Sequence, residues 1–198
     1  MQPITSSRTG LIEGSRPLLQ TMTGRIVLCF AATLFVAACA HVSIPLFFTP
    51  VPITLQTFAV ILIGMALGPV AGFSTLLLYL AEGAAGLPVF SPQGPGGIAQ
   101  LLGPTAGFLF SYPLAAALAG WAMRSMPRTV SRFGSGIIAA LVSSTVIFAM
   151  GAGWLAHLMH LSAATVWGLA VAPFLLGEAI KITAAAGIFS GLQRWQKS

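Results

Sequence analysis

Aspartate and asparagine are absent from this 198-residue chain, and charged residues of any kind make up only 6% of it. Soluble domains carry about 25% charged residues, so the composition excludes one. Acid is scarcest of all: Glu13, Glu82 and Glu178 are the whole acidic inventory. Cysteine is limited to Cys29 and Cys39, in one apolar run. Ten residues apart on one helix, they stand about 15 Å from each other, beyond disulfide reach, and read as apolar fillers. Two cysteines and three histidines argue against a dense metal site, and no cofactor is expected. The chain has no Gly-x-x-x-x-Gly-Lys-Ser/Thr phosphate loop, so it does not itself hydrolyse ATP through one.

What the chain has is hydrophobicity: 57% apolar residues and a mean hydropathy of +0.93. It reads as an integral membrane protein. Its net charge of +6 then concerns orientation in the bilayer; the expected surroundings are membrane lipid, not nucleic acid. Residues 1–24 are polar and basic, with Arg8 and Arg16. The apolar run after Arg25 shows no small-residue cleavage site and continues into further hydrophobic segments, unlike a signal peptide. Residues 1–24 are therefore expected to form a cytoplasmic extension, and 25–198 the membrane domain.

A spanning helix needs roughly 17–25 mostly apolar residues. Gly and Pro divide the chain into segments near 25–43, 53–67, 70–85, 104–123, 134–157 and 166–193. The expected fold is all-α, with six transmembrane helices in a compact bundle and both termini cytoplasmic. Charge supports that orientation. Arg8, Arg16, Arg25, Arg124, Arg128, Arg132, Arg194 and Lys197 all fall in the inner regions, and the three outer loops hold no cation. This is the positive-inside pattern. The ninth cation, Lys181, lies within the last segment. The outer loop "GLPVFSPQGPGGIAQLLGP" is rich in Gly and Pro yet carries Val89, Phe90, Ile98 and Leu101. Irregular backbone at membrane depth survives only against protein or a cavity, so this loop reads as a lid.

Glu178 and Lys181 stand three residues apart, on one helical face. Intramembrane ionisable residues usually face a bundle interior or a cavity and mark function. The pair is either a self-satisfied ion pair joining helices or a ligand site. In the second case Lys181 holds an anionic group and Glu178 accepts from N–H donors, which a carboxylate does well. Gln56, Thr57, Tyr79, Glu82, Gln93 and Gln100 are further polar candidates for the same pocket. Cys29, Thr33 and Ala37 recur every four residues in the first segment. Such a small-residue row suits packing within the bundle or docking of another membrane protein.

A membrane serine protease is a rival class. "FGSGI" at 133–137 places Ser135 at the inner end, whereas His157 and His160 fall near the opposite face. They do not meet, and no enzyme is expected. A proton-coupled carrier using Glu82, Glu178 and Lys181 is another rival, distinguished by its energy source.

Four stretches carry a family resemblance: "TPVPITLQTFAV" (49–60), "GLPVF" (86–90), "LLGPTAGF" (101–108) and "PFLLGEAIKI" (173–182). In order and in topology they resemble the signature blocks of the BioY family. These are the biotin-specific S components of energy-coupling factor (ECF) transporters, and the likeness covers about residues 25–193. The resemblance implies a six-helix protein of the bacterial cell membrane that captures biotin from outside. It implies a transmembrane coupling protein and two ATPase subunits as partners. It also implies that Glu178 and Lys181 contact the ligand: Lys181 at the valerate carboxylate, Glu178 at the ureido N–H groups. An S component for another vitamin is the alternative. The chain departs from the family pattern in several places. Glu178 stands where the family usually has Asp. With no Asn available, Gln93 is expected to meet the ureido group. The third block holds Ala106 and Phe108 in place of Gly and Tyr. Segment 1 has no Ala-x-x-x-Ala spacing, and Glu82 falls where an apolar residue is expected.

Overall fold

Unpaired backbone N–H and C=O groups are costly away from water, and a helix pairs nearly all of its own. The apolar runs therefore become helices, and Gly, Pro and Ser set their ends. The computed structural model describes residues 21–127 and 129–195. Most of the expected extension over 1–24 lies outside the described residues. Its last residues belong to the first helix, α1 (Met22–His41), because Thr21 Oγ1 accepts from Gly24 N at 3.0 Å and caps it.

A short antiparallel pair follows, β1 (Ser43–Ile44) with β2 (Ile53–Thr54). It closes the apolar loop after α1 into a hairpin. Next come α2 (Gln56–Leu67) and α3 (Pro69–Ala84). Between them Gly68 adopts φ +83°, a conformation open to glycine, and Pro69 starts α3 with its ring-fixed φ. The loop after α3 holds the short α4 (Gly97–Leu101) and leads into α5 (Ala106–Ser125). Ser131 caps α6 (Arg132–Met159), its Oγ accepting from Gly134 N at 3.0 Å.

The last expected segment differs from its reading as one helix over 166–193. It is divided into α7 (Ala163–Ala170), a 3-10 turn (Ala172–Phe174) and α8 (Leu175–Trp195). Pro173 has no N–H to continue the helical ladder. The break places Glu178 in the first turn of α8.

Helix α5 is the centre of the bundle. It packs against α3, α2 and α6, while α8 covers α6 and α2. Helix α1 lies at the edge against α2 and α3, and its outer face leaves Ile26, Val27, Phe30 and Leu34 exposed. Apolar residues exposed in this way suit contact with lipid. Among the described residues, four runs are long and apolar enough to cross a membrane: Met22–His41, Ala106–Ser125, Arg132–Met159 and Ala163–Trp195. Helices α2 and α3, with 12 and 16 residues, are about 18 and 24 Å long. Both are shorter than the hydrocarbon core.

Without a hydrophobic force between helices in lipid, close approach supplies the cohesion. Helix α2 meets α5 at Gly64, where an added Cβ would overlap the backbone of Ala116. Gly64→Ala is expected to lower the thermal unfolding midpoint in detergent, corresponding to about 1–3 kcal/mol of overpacking. Gly187→Ala, whose Cβ meets nothing within 4 Å, should leave the midpoint unchanged or slightly raised. Equal midpoints for Gly64→Ala and wild type would refute the close-packing account.

Candidate ligand-binding site

The first two turns of α8 direct Glu178 and Lys181 into the bundle, where they are 3% and 9% exposed. Their ion pair spans 3.4 Å between Lys181 Nζ and Glu178 Oε2. The pair is not self-contained. Ser144 of α6 donates to Glu178 Oε1 at 2.7 Å, and Thr57 of α2 donates to Oε2 at 3.0 Å. Lys181 in turn donates to Thr57 Oγ1 at 3.0 Å. The single Thr57 proton serves the carboxylate while its lone pair receives the ammonium, so one hydroxyl bridges both charges. The helix dipole further favours a carboxylate in the first turn.

This cluster forms one end of a cavity with some 560 Å³ of space unfilled by protein, open solvent at its mouth included. Val51, Pro52, Phe108, Leu109, Ile147, Phe148 and Phe174 form apolar walls; Thr54, Gln56, Ser91, Gln100, Thr105 and Tyr112 add polar groups. All four quoted sequence blocks converge here. Three contribute lining residues, and the 86–90 block anchors the loop from which Ser91 reaches the cavity.

That loop is held down at several points. Tyr79 OH donates to Val89 O at 2.7 Å, and Trp154 Nε1 donates to Gly103 O at 2.9 Å. Phe90 stacks edge-on to Tyr79 with centroids 5.5 Å apart. Its ring fills the space that a side chain at position 83 would take, which requires Gly83. Gln100 Oε1 accepts from Gly96 N at 3.1 Å and closes α4 onto the loop. Val89 and Phe90 are buried, whereas Ile98 is exposed.

The structure brings Glu178, Lys181 and Gln56 together and corrects the placement of three other candidates. Tyr79 is fully buried and does not line the cavity. It accepts from Gln56 Nε2 at 2.6 Å, while Tyr112 OH donates to Gln56 Oε1 at 3.4 Å. Two phenols thus orient the Gln56 amide. Gln93 is exposed and borders an outer recess beside the cavity, donating to Ser43 Oγ at 3.4 Å. Gln100 occupies the place in the cavity that Gln93 was expected to take. Glu82 faces α1, where Oε1 accepts from Thr33 Oγ1 at 3.0 Å.

This last bond also corrects the proposed docking row. Thr33 and Ala37 are buried, and Cys29 Sγ accepts from Thr75 Oγ1 at 3.4 Å. The row Cys29, Thr33, Ala37 faces α3 and is not an exposed docking strip. Sequence reasoning missed the polar lining groups Thr54, Ser91, Thr105 and Tyr112, and Ser144 behind them. The only signal for Ser144 was the Ser143–Ser144 pair inside an apolar helix. Among the described residues, no cluster of three or more His, Cys, Asp or Glu side chains could hold a metal.

Comparison with known proteins agrees with the convergence of the four blocks. The chain matches the BioY family over residues 11–198. It is 38% identical over 168 residues to a "probable biotin transporter BioY" of Pyrococcus horikoshii, covering 85% of this chain and 94% of that one. A "biotin transporter BioY" of Rhodobacter capsulatus is 33% identical over 175 residues, covering 84% and 91%. Among solved structures, the crystal structure of the S-component for biotin from an ECF-type ABC transporter superposes with a TM-score of 0.78. It shares 28% identity and covers 86% of this chain and 90% of that one. With a family match over nearly its whole length, and the family's blocks gathered around one cavity, the chain belongs to the BioY family.

Proposed function

We propose that this chain is the biotin-capturing S component of an ECF-type transporter and that biotin occupies the cavity between α2, α5, α6 and α8. It is a transport subunit, not an enzyme. The observation that carries this reading is the meeting of a buried cation and a buried carboxylate in a pocket that has both apolar walls and further polar groups. Biotin has matching parts: a carboxylate, a ureido ring with N–H donors, and an apolar thiophane and tail. Lys181 has three N–H donors; two serve Thr57 and Glu178, and the third takes the valerate carboxylate. Glu178 exchanges a hydroxyl partner for a ureido N–H. Gln56, set by Tyr79 and Tyr112, and Gln100 offer the remaining polar contacts. The Phe and Val side chains of the walls cover the apolar parts.

The topology proposed with this function has six crossings and both termini cytoplasmic. The hairpin loop and the α4 loop then cap the cavity on the outside. Their folded backbone thickens that end, which compensates for the shortness of α2 and α3. Arg25, Arg124, Arg132 and Arg194 lie at helix ends on the opposite side, consistent with positive-inside orientation. Energy comes from a membrane coupling protein and ATPase subunits, since this chain carries no phosphate loop.

Titration calorimetry of purified, biotin-stripped protein tests the reading, with biotin methyl ester as the second ligand. Biotin should bind tightly and the ester more weakly. No binding of either would reject the biotin assignment. Truncating one partner of a buried charge contact costs about 2–5 kcal/mol, so Lys181→Ala should weaken biotin binding about 30-fold or more. Glu178→Asp should weaken it less. Normal affinity in Lys181→Ala would sink the carboxylate assignment.

Ser144→Ala removes a hydroxyl from Glu178 without entering the pocket lining identified above. Hydrogen bonds to charged groups are worth about 1.5–3 kcal/mol, so biotin affinity should fall about tenfold, with Ser144→Thr closer to wild type. An unchanged affinity in Ser144→Ala would show that Glu178 needs no orienting from α6.

A further inference from the structure

A second pocket lies at the opposite end of the bundle and takes no part in the site above. It is bounded by the Gly68 turn between α2 and α3, the end of α5, the start of α6 and Gln193 of α8. Arg124 and Arg132 line it. Among the described residues neither meets a carboxylate: Glu82 is bonded to Thr33, and Glu178 belongs to the Lys181 cluster. The Arg124 guanidinium lies directly over Gly68, where a Cβ would overlap it. Arg132 is the first residue of α6, a 28-residue helix with no acid in its first turn. A cation at the positive end of a helix dipole is unfavourable by itself, whereas an anion there is stabilised.

Ser135 supplies an independent sign of a ligand. The residue is only 2% exposed and lines this pocket. Its hydroxyl has no hydrogen-bond partner among the described residues. Every side-chain polar atom fully closed from solvent does have one there, so the Ser135 hydroxyl opens into the pocket. Its O–H is thus directed at the pocket with no protein acceptor among the described residues, and a ligand oxygen between the two arginines would accept it.

We propose that this pocket binds a phosphate-bearing anion, with Arg124 and Arg132 neutralising it and Ser135 donating a hydrogen bond. The planar guanidinium fork matches phosphate oxygens. An anionic lipid headgroup and free phosphate share this chemistry. A lipid is the favoured source, because Met65, Met123 and Phe189 place apolar surface beside the arginines. Its assignment to the inner leaflet rests on the topology proposed above.

Native mass spectrometry of the purified full chain in detergent tests this. The probes are dihexanoyl phosphatidylglycerol, dihexanoyl phosphatidylcholine and inorganic phosphate. One phosphatidylglycerol molecule should bind in preference to phosphatidylcholine. One arginine near a membrane surface is worth about fivefold in affinity. Arg132→Gln should therefore weaken phosphatidylglycerol binding about fivefold, and Ser135→Ala should weaken it measurably. Arg194→Gln, a cation at the same end outside the pocket, should not. A wild-type thermal midpoint in each variant shows that its fold is intact, and Ser135→Thr keeps the hydroxyl should Ser135→Ala unfold. The same losses seen with inorganic phosphate would support the site with free phosphate as its ligand. Equal binding of the two lipids without those losses for inorganic phosphate, or no effect of Arg132→Gln and Ser135→Ala on either anion, would overturn the proposal.

Discussion

A charge inside an apolar bundle must be neutralised and hydrogen-bonded, and the placing of Glu178 and Lys181 depends on meeting that demand. Removing one ion from water costs several kcal/mol even after relaxation, and a bare ion pair repays this poorly. Here the pair is only one contact among several. Thr57 bridges both charges, and Ser144 takes the second carboxylate oxygen. The hydroxyls come from α2 and α6, so satisfying two charges on α8 also fixes three helices around the cavity. The arrangement is at once a structural joint and a polar surface that a ligand can enter.

The same demand explains the two loops beside the cavity. A polar pocket within a membrane protein has to be closed off from lipid by something with its own backbone satisfied. The hairpin β1–β2 and the α4 loop do this with internal hydrogen bonds and with buried Val51, Val89 and Phe90. Tyr79 links the two requirements. It holds the loop through Val89 O and orients Gln56 of α2. Loop closure and pocket polarity are therefore coupled through one phenol, which sits behind the pocket wall.

What the sequence made legible follows from local rules, and what it hid follows from contacts between distant residues. Helix positions came from apolar runs and breakers. The site pair followed from the cost of intramembrane charge, and the family from four short blocks. The division of the last segment was harder to see. Pro173 was visible, but a proline inside an apolar run either kinks a helix or breaks it, and the surrounding packing decides. Glu82 and Thr33 are 49 residues apart, so no spacing rule joins them. Each was assigned to a different site when they are in fact partners. Gln93 and Gln100 shared one loop, and only its fold shows that α4 turns Gln100 inward. Ser144 is one hydroxyl on a long apolar helix, and nothing local marks it as the partner of a glutamate 34 residues on.

Glu178 in place of the shorter acid expected of the family is consistent with this geometry. Its carboxylate has to reach hydroxyls on two different helices while staying within 3.4 Å of Lys181 on its own. An added methylene extends the carboxylate away from the α8 backbone toward α2 and α6. The α7–α8 break supplies the other half of the solution. By starting α8 at Leu175 it sets the carboxylate in the first turn, where the helix dipole favours negative charge. Lys181, one turn further on, reaches the same Thr57 hydroxyl and the same carboxylate. An acid anchored by hydroxyls and helix terminus leaves the ammonium with one N–H donor beyond those serving Thr57 and Glu178.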